Sequence, residues 1–350
     1  MAELIHIEKF LDKFEEEKLL LLDARSEGEF DHAHIPGAIN VPLLNNEHRH
    51  LVGIEYKKKG REAAVALGFE LVGPLFHEFI KKANEKTDKK EVMIYCWRGG
   101  MRSSIMAWVL SMAGYQVSLL KGGYKSFRGL ILSQFKIEKE IVILGGHTGS
   151  GKTDILKAMR KNGEQVIDLE EIANHRGSAF GQLGFPPQPT NEFYENILGC
   201  LWRKIDSNRR VWLEAESHSI GRVKIPDDIF TQLKAAQLME VSCSREFRKD
   251  RILAEYGEFP KIDLAACTSK LRKRLGQLRL TESLIALEQD RLGDWLEVLL
   301  DYYDKTYSHS LKERNSSQRL SVVVNDNENI ESIAKRLVNE SNKLNKKFIA

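Results

Sequence analysis

The sequence predicts two α/β domains in tandem, and three observations lead there. Its 350 residues exceed the usual ~100–200 of one domain. Short apolar segments ending in a polar residue recur along the chain, as buried parallel strands do, with helical patterns between them. A glycine-rich segment stands between such a strand and such a helix once in each half. With 42% hydrophobic and 29% charged residues, the chain can bury real cores, and disordered or collagen-like classes are excluded.

Taken in order, residues 19–23 and 92–95 read as the first strands. Residues 103–112 are apolar at helical spacing, with a serine pair at the start and Gly114 beyond the end. Residues 117–120 give another strand, closed by Gly122 and Gly123. The first domain is expected over 1–123, and 124–140, without a strand pattern, reads as a helical linker. A second domain over 141–350 opens with a strand at 141–144. Further strands are expected at 165–169, 211–214, 237–242 and 320–325. A helical, basic segment over about 245–300 is expected as an insertion, and 328–348 is an amphipathic helix expected to close on the sheet.

Charge decides little, because 53 Lys and Arg face 50 Asp and Glu. Contact with nucleic acid has to come from a local patch. Arg245, Arg248 and Arg251 stand at helical spacing and are candidates to meet phosphates; Lys270, Arg272, Lys273, Arg274 and Arg279 are candidates to follow an RNA backbone. Such runs also serve as plain solvated helix faces. Cys96, Cys200, Cys243 and Cys267 are scattered without a CxxC pair, which argues against a disulfide framework or zinc site. No apolar run is expected to span a bilayer, the first residues lack a signal-peptide pattern, and a cytoplasmic protein is expected.

One cysteine sits in a chemically purposeful setting. In Tyr95-Cys96-Trp97-Arg98-Gly99-Gly100-Met101-Arg102-Ser103 it ends a strand, and a turn of two glycines leads into a helix. Inward N–H groups and the helix N-terminus, worth about half a positive charge, stabilise a thiolate and a bound anion alike. Cys96 is the expected nucleophile, with residues 97–102 as its anion loop, while the other three cysteines read as packing residues. The spacing Cys-x5-Arg also fits a cysteine-dependent phosphatase.

Upstream, residues 23–40 place Asp23 at a strand end, then Arg25, an acidic turn and His34-Ile35-Pro36-Gly37-Ala38. Together the two motifs resemble the rhodanese family over about residues 5–130. That resemblance implies a rhodanese-like α/β domain whose loop cysteine carries sulfur or selenium. His34 is expected to brace a turn; Asp23 and Arg25 suit either a structural or a functional role.

In the second half a strand runs into Gly145-Gly146-His147-Thr148-Gly149-Ser150-Gly151-Lys152-Thr153, a G-x4-G-K-T pattern before a helix. This is a phosphate loop, and it implies a P-loop NTPase-like α/β domain. Backbone N–H groups from Gly146 to Gly151 wrap a diphosphate, Lys152 neutralises its outer oxygens, and Thr153 can ligate magnesium. ATP, GTP and a non-nucleotide diphosphate all stay open. The strand at 211–214 ends in Glu214 instead of the usual Asp, and no Asn-Lys-x-Asp motif reads guanine. Asp168, Glu170, Glu214 and Glu216 are candidates for metal or substrate. His175 and Arg176, in a polar glycine-rich loop, are candidate substrate residues.

The combination is more specific than either half. CWRGGMRS, GGHTGSGKT, DLE, ANHRGSAFG, PPQPT and VWLEAESHSIG, in this order, resemble the tRNA 2-selenouridine synthase family over nearly the whole chain. A more acidic cluster than Glu214-Ala215-Glu216 is expected of that family. The resemblance implies a selenium transferase acting on tRNA with a wobble 2-thiouridine, supplied by a selenophosphate source, with no membrane partner. It further implies S-geranylation from geranyl diphosphate before selenium from selenophosphate replaces the thioether. No tightly bound cofactor is expected beyond these substrates, with magnesium as a candidate. Two other classes compete: a sulfurtransferase or phosphatase regulated by its P-loop, and a non-catalytic RNA-binding module.

Overall fold

In a computed structural model, which describes residues 2–312 and 319–348, apolar strands separated by helices form two five-stranded parallel sheets. The chain divides into two compact units, Met1–Gln134 with Glu195–Cys200, and Phe135–Tyr194 with Leu201–Ala350.

The first unit runs β1 (Glu3–Ile5), α1 (Ile7–Glu17), β2 (Leu20–Asp23), α2 (Glu27–His32), β3 (Ile39–Asn40), α3 (Asn46–Lys59), α4 (Arg61–Val72), α5 (Phe76–Lys86), β4 (Glu91–Tyr95), α6 (Met101–Met112), β5 (Gln116–Leu120) and α7 (Gly123–Gln134). The sheet order is β1-β5-β4-β2-β3. Central β4 is apolar and buried at four successive positions, as a strand covered on both faces must be. One face of the sheet packs Leu22, Val92, Ile94 and Val117 against Met106, Ala107 and Leu110 of α6. The strand order reverses between β2 and β4, since the chain steps outward one way from β2 to β3 and the other way from β4 to β5, and in parallel sheets the carboxyl ends of strands at such a switch are where loops gather. Cys96 follows β4 at that point. Helix α7 belongs to this unit instead of standing as a free linker, because Tyr124, Phe127 and Ile131 are buried.

Residues 61–86 are long and apolar enough to cross a membrane by length and composition, contrary to the sequence expectation. The stretch is broken into α4 and α5 by a 3-10 turn over Gly73–Leu75, where Pro74 cannot donate to a continuing helix.

The second unit runs β6 (Ile141–Gly146), α8 (Lys152–Lys161), β7 (Gln165–Ile167), α9 (Leu169–Ala173), α10 (Asn191–Lys204, whose middle groups with the first unit), β8 (Val211–Glu214), a small hairpin of β9 (Ser219–Ile220) and β10 (Val223–Lys224), α11 (Asp227–Ala235), β11 (Gln237–Ser242), α12 (Arg245–Tyr256), α13 (Lys261–Ser269), α14 (Arg272–Leu275), α15 (Gln277–Glu288), α16 (Leu292–Lys312), β12 (Arg319–Val323) and α17 (Ile330–Phe348). The order β12-β11-β6-β8-β7 puts β6 at the centre, with the phosphate loop leaving its carboxyl end. Helices α12–α16 interrupt the sheet between β11 and β12, extending past the predicted segment, and bury a core of their own around Leu264, Trp295, Leu296 and Leu300. Helix α17 places Ile333, Ala334 and Leu337 in the core that also holds Ile155, Leu156 and Met159 of α8, which closes that face of the sheet.

Candidate functional sites

The cysteine loop is held by its neighbours on the next loop. Tyr124 N–H donates to Cys96 O at 2.8 Å and Lys125 N–H to Trp97 O at 3.0 Å. Two glycines make this approach feasible: a Cβ on Gly123 would lie 2.2 Å from Cys96 O, and one on Gly99 2.6 Å from Leu120 O. Both also have positive φ, at 58° and 64°. Cys96 Sγ accepts the Gly100 N–H at 3.3 Å and lies 3.2 Å from Ser103 Oγ, at the N-terminus of α6. Trp97, Arg98, Gly100 and Met101 are exposed, and Gly99 and Arg102 half-buried. Arg102 donates to Glu29 Oε2 at 2.7 Å, so it reaches the loop already paired.

Glu29 itself ties three groups together. Its Oε2 accepts from Ser26 N–H and pairs with Arg49 as well as Arg102. Burial alone would raise its pKa, but the Arg102 hydrogen bond and charge outweigh burial and hold it below the ordinary value. Asp23 and Arg25 form a fully buried ion pair, Nη2 to Oδ2 at 2.6 Å, and the guanidinium lies 3.9 Å from the Tyr124 ring centre. That pair supports the loop from beneath through Tyr124 and Trp97. His34 braces its turn, with Nδ1 2.9 Å from Phe30 O and its ring stacked on Phe30.

In the phosphate loop, residues 145–151 leave β6 and reach α8 at Lys152. Lys152 Nζ donates to Gly146 O at 3.1 Å and stands 3.5 Å from Glu214 Oε1. Ser150 Oγ is buried without a hydrogen-bond partner, a donor waiting for an acceptor. His147 leans on Tyr307 with ring centres 4.6 Å apart, and burial lowers its pKa. Arg251 lies over Gly151 and pairs with Asp154, the third residue of α8. The N-terminal N–H groups of α8 have no carbonyl partners within the helix, and with Lys152 they suit a diphosphate.

Behind the loop, Glu170 joins Glu214 and Glu216, and ligand atoms of all three lie within 4.8 Å of one another. The expected acidic cluster is therefore completed in space, by a residue more than forty positions away in sequence. Burial, then the neighbouring charges, push Glu170 up to about 11 and Glu216 up to about 8. Burial also raises Glu214 against the pull of Lys152. Glu214 Oε2 is buried without a partner. A hard divalent cation, which a P-loop fold implies, fits this oxygen-only donor set, with Thr153 as the further hydroxyl.

Residues 139–341 match the family model described as the tRNA 2-selenouridine synthase AAA domain, and residues 6–130 match the rhodanese-like domain. The chain is 34% identical to a tRNA 2-selenouridine synthase of Bdellovibrio bacteriovorus, with 86% of this chain and 91% of that one covered. It is 34% identical to that of Sulfurovum sp., covering 86% and 90%, and 35% identical to that of Hydrogenovibrio crunogenus, covering 84% and 90%. The chain belongs to the tRNA 2-selenouridine synthase family.

Not every candidate residue of this family member reaches a site. Asp168 caps α9, its Oδ1 accepting Glu171 N–H at 2.9 Å, and stands outside the glutamate cluster. His175 Nδ1 accepts Gly177 N–H, and Arg176 binds Leu183 O and Glu255, so both brace the loop they stand on. Arg245 pairs with Glu297 and Asp301, and Arg248 with both oxygens of Asp304 while donating to Thr148 O. These two arginines secure α12 to α16 and the phosphate loop. Arg272, Lys273 and Arg274 are exposed on α14. Cys243 and Cys267 pack in cores, where burial raises both thiols. Sequence reasoning missed Gly123, Tyr124, Glu29 and Ser103 at the cysteine loop. Only Ser103, inside the motif itself, carried a local signal.

Proposed function

We propose that this synthase exchanges the sulfur of a wobble 2-thiouridine in tRNA for selenium, the product that its relatives' names describe. The observation that carries the proposal is the pairing, in family order, of a loop built around one buried cysteine with a phosphate loop whose serine hydroxyl lacks a partner.

In the first step the base sulfur attacks C1 of geranyl diphosphate. The sulfur–carbon bond forms as the carbon–oxygen bond breaks, diphosphate leaves with the electron pair, and the base gives up its N3 proton. Lys152, Ser150 and the α8 N–H groups stabilise the departing charge. Magnesium, when bound, supplies further charge neutralisation for diphosphate; Glu214 and Thr153 are the residues nearest that role in sequence and site chemistry. In the second step the selenium of selenophosphate adds to C2 as the C2–S bond breaks, geranyl thiolate leaving with the electron pair; water then cleaves the Se–P bond to release phosphate, and its two protons end on the thiol and on N3 of the 2-selenouridine. Alkylation helps because a thioether sulfur departs far more readily than a thiocarbonyl sulfur.

Cys96 serves selenium transfer, in a loop whose N–H groups and Arg102 suit the selenophosphate anion. The exposed Arg272, Lys273 and Arg274 are candidate tRNA backbone contacts. We place the work in the cytoplasm, where tRNA is modified. The test is mass spectrometry of nucleosides from 2-thiouridine tRNA incubated with protein, geranyl diphosphate and selenophosphate. Wild type yields 2-selenouridine, Cys96→Ser stalls at the geranylated base, and Lys152→Ala blocks geranylation. Unchanged tRNA alongside consumption of thiosulfate would replace this activity with that of a regulated sulfurtransferase.

A further inference from the structure

Helix α12 packs directly on the phosphate loop. A Cβ on Gly149, whose φ is 82°, would lie 2.8 Å from Arg248 O and 2.7 Å from Ile252 Cδ1, so loop and helix meet across a bare backbone. Arg245, Arg248 and Arg251 follow one another at helical spacing on α12, and the first two are spent. Arg245 holds Glu297 and Asp301, and Arg248 holds both oxygens of Asp304 while donating to Thr148 O. Arg251 differs in partner and in place. It pairs with Asp154, and its side chain is 31% exposed against 48% for Asp154. Its guanidinium carbon and Nε lie 3.3 Å from where a Cβ on Gly151 would stand, and Gly151 is the N-cap of α8. The positive charge therefore sits over the helix end whose free N–H groups suit an anion, one residue from the buried, unpartnered Ser150 hydroxyl. Asp154 is the third residue of the same helix, so its carboxylate and an incoming diphosphate compete for one guanidinium.

We propose that Arg251 is a diphosphate-binding residue held in reserve by Asp154: when the anion enters the phosphate loop, the guanidinium leaves the carboxylate and takes the phosphoryl group that Lys152 does not. The inference rests on the diphosphate reading of this loop, and it names the residue that tells a diphosphate from a monophosphate. The exchange is favourable on three counts. A guanidinium presents a planar fork that matches phosphoryl oxygens, and such charge-assisted bonds are about twice as strong as neutral ones. The bond given up is a partly exposed ion pair, which solvent and salt already weaken. Asp154 stays in the first turn of α8, where the helix dipole favours a carboxylate without a partner. Arg248 keeps α12 on the loop throughout, so the exchange needs a turn of one side chain and no movement of the helix. Gly151 is part of the device, because any side chain there would meet the guanidinium and would be strained at a φ of 83°.

The test is calorimetric titration of the full chain at pH 7 and fixed salt, with inorganic pyrophosphate and orthophosphate as probes. Wild type binds pyrophosphate more tightly than orthophosphate. Arg251→Ala weakens pyrophosphate about tenfold or more and orthophosphate by less than about threefold, and Arg251→Lys recovers only part of the loss. Asp154→Asn tightens pyrophosphate about threefold, the scale of an exposed ion pair, and does so only while Arg251 is present. A residue that merely braced α12 would behave otherwise, since breaking the pair from either side would then have one effect. Pyrophosphate affinity unchanged in Arg251→Ala, or lowered alike in Arg251→Ala and Asp154→Asn, overturns the inference. A gain from Asp154→Asn that persists in the Arg251→Ala background overturns it too, because the gain is then plain charge repulsion. Melting curves identify a variant that fails to fold, and the sign of the Asp154→Asn effect, at a half-exposed position, then decides alone. Wild type that binds no pyrophosphate removes the diphosphate reading and the inference with it. Wild type that binds it with no loss in Arg251→Ala keeps that reading and removes Arg251 alone.

Discussion

The Cα of Gly123 stands so close to Cys96 that a methyl group on it would lie 2.2 Å from the Cys96 carbonyl oxygen. The cysteine loop and the start of α7 therefore touch backbone to backbone. Gly123→Ala should destabilise the first unit by more than about 1 kcal/mol, because the overlap adds to the strain of a φ of 58°. Thermal denaturation measures the loss, and the rate of Cys96 alkylation by iodoacetamide in the folded state reports whether the loop has moved. An alanine variant as stable and as reactive as wild type would refute the close approach.

Ser150 offers the opposite trade. Its buried hydroxyl has no partner, so Ser150→Ala should leave stability unchanged or raise it slightly. The same change removes a donor from the phosphate loop, and pyrophosphate affinity should fall by roughly tenfold, about 1.4 kcal/mol. Calorimetric titration together with a melting curve separates the two effects.

Acid should act on the cysteine loop through Glu29. Burial raises its pKa, but Arg102, Ser26 and Arg49 overcome burial and the folded value is lowered. Its stabilising contribution is complete above the ordinary value of 4.5 and lost as pH falls through the lowered folded value. Glu29→Gln should therefore be less stable than wild type at pH 7, and the gap should narrow as pH falls below about 4.5. Melting temperatures from pH 7 to pH 3 test this; a gap that is constant with pH would show that the Arg102 pairing contributes nothing.

The basic residues of the helical insertion should separate by role. Arg248→Met leaves Asp304 without its bidentate partner and should cost about 2–4 kcal/mol, given that the arginine is buried and Asp304 only partly so. Replacing Arg272, Lys273 and Arg274 with alanine should change stability by less than about 0.5 kcal/mol for each residue. That triple change should weaken tRNA binding and flatten its dependence on salt. Filter binding over a range of salt concentrations is the measurement, and an unaltered slope would remove α14 from the tRNA surface.

What could be read from the sequence was local. The strands β4 and β6, their loops and the helices after them lie in contiguous segments, where apolar runs and glycines signal directly. Residues brought in from elsewhere gave no such signal. Glu29 reaches Arg102 across 73 positions, and Gly123 reaches Cys96 from the end of the following strand. The helical spacing of Arg245 and Arg248 pointed to phosphates, but their acidic partners stand on α16, more than fifty residues downstream. Asp168 and Glu170 look equivalent in sequence; only the start of α9 at Leu169 makes the first a cap and frees the second for the cluster.

The pairing of β1 with β5 also sets an order of events during synthesis. Glu3 aligns with Ser118, so the edge strand waits for its partner through 115 further residues of synthesis. At about 5–20 residues per second that wait is on the order of ten seconds, and the sheet around Cys96 can close only after the segment that carries Gly123 begins to emerge. Nascent chains arrested shortly after residue 100 should thus hold the complete CWRGG motif and yet lack the neighbours that shape it, so the cysteine acquires its folded surroundings only after its own translation is past.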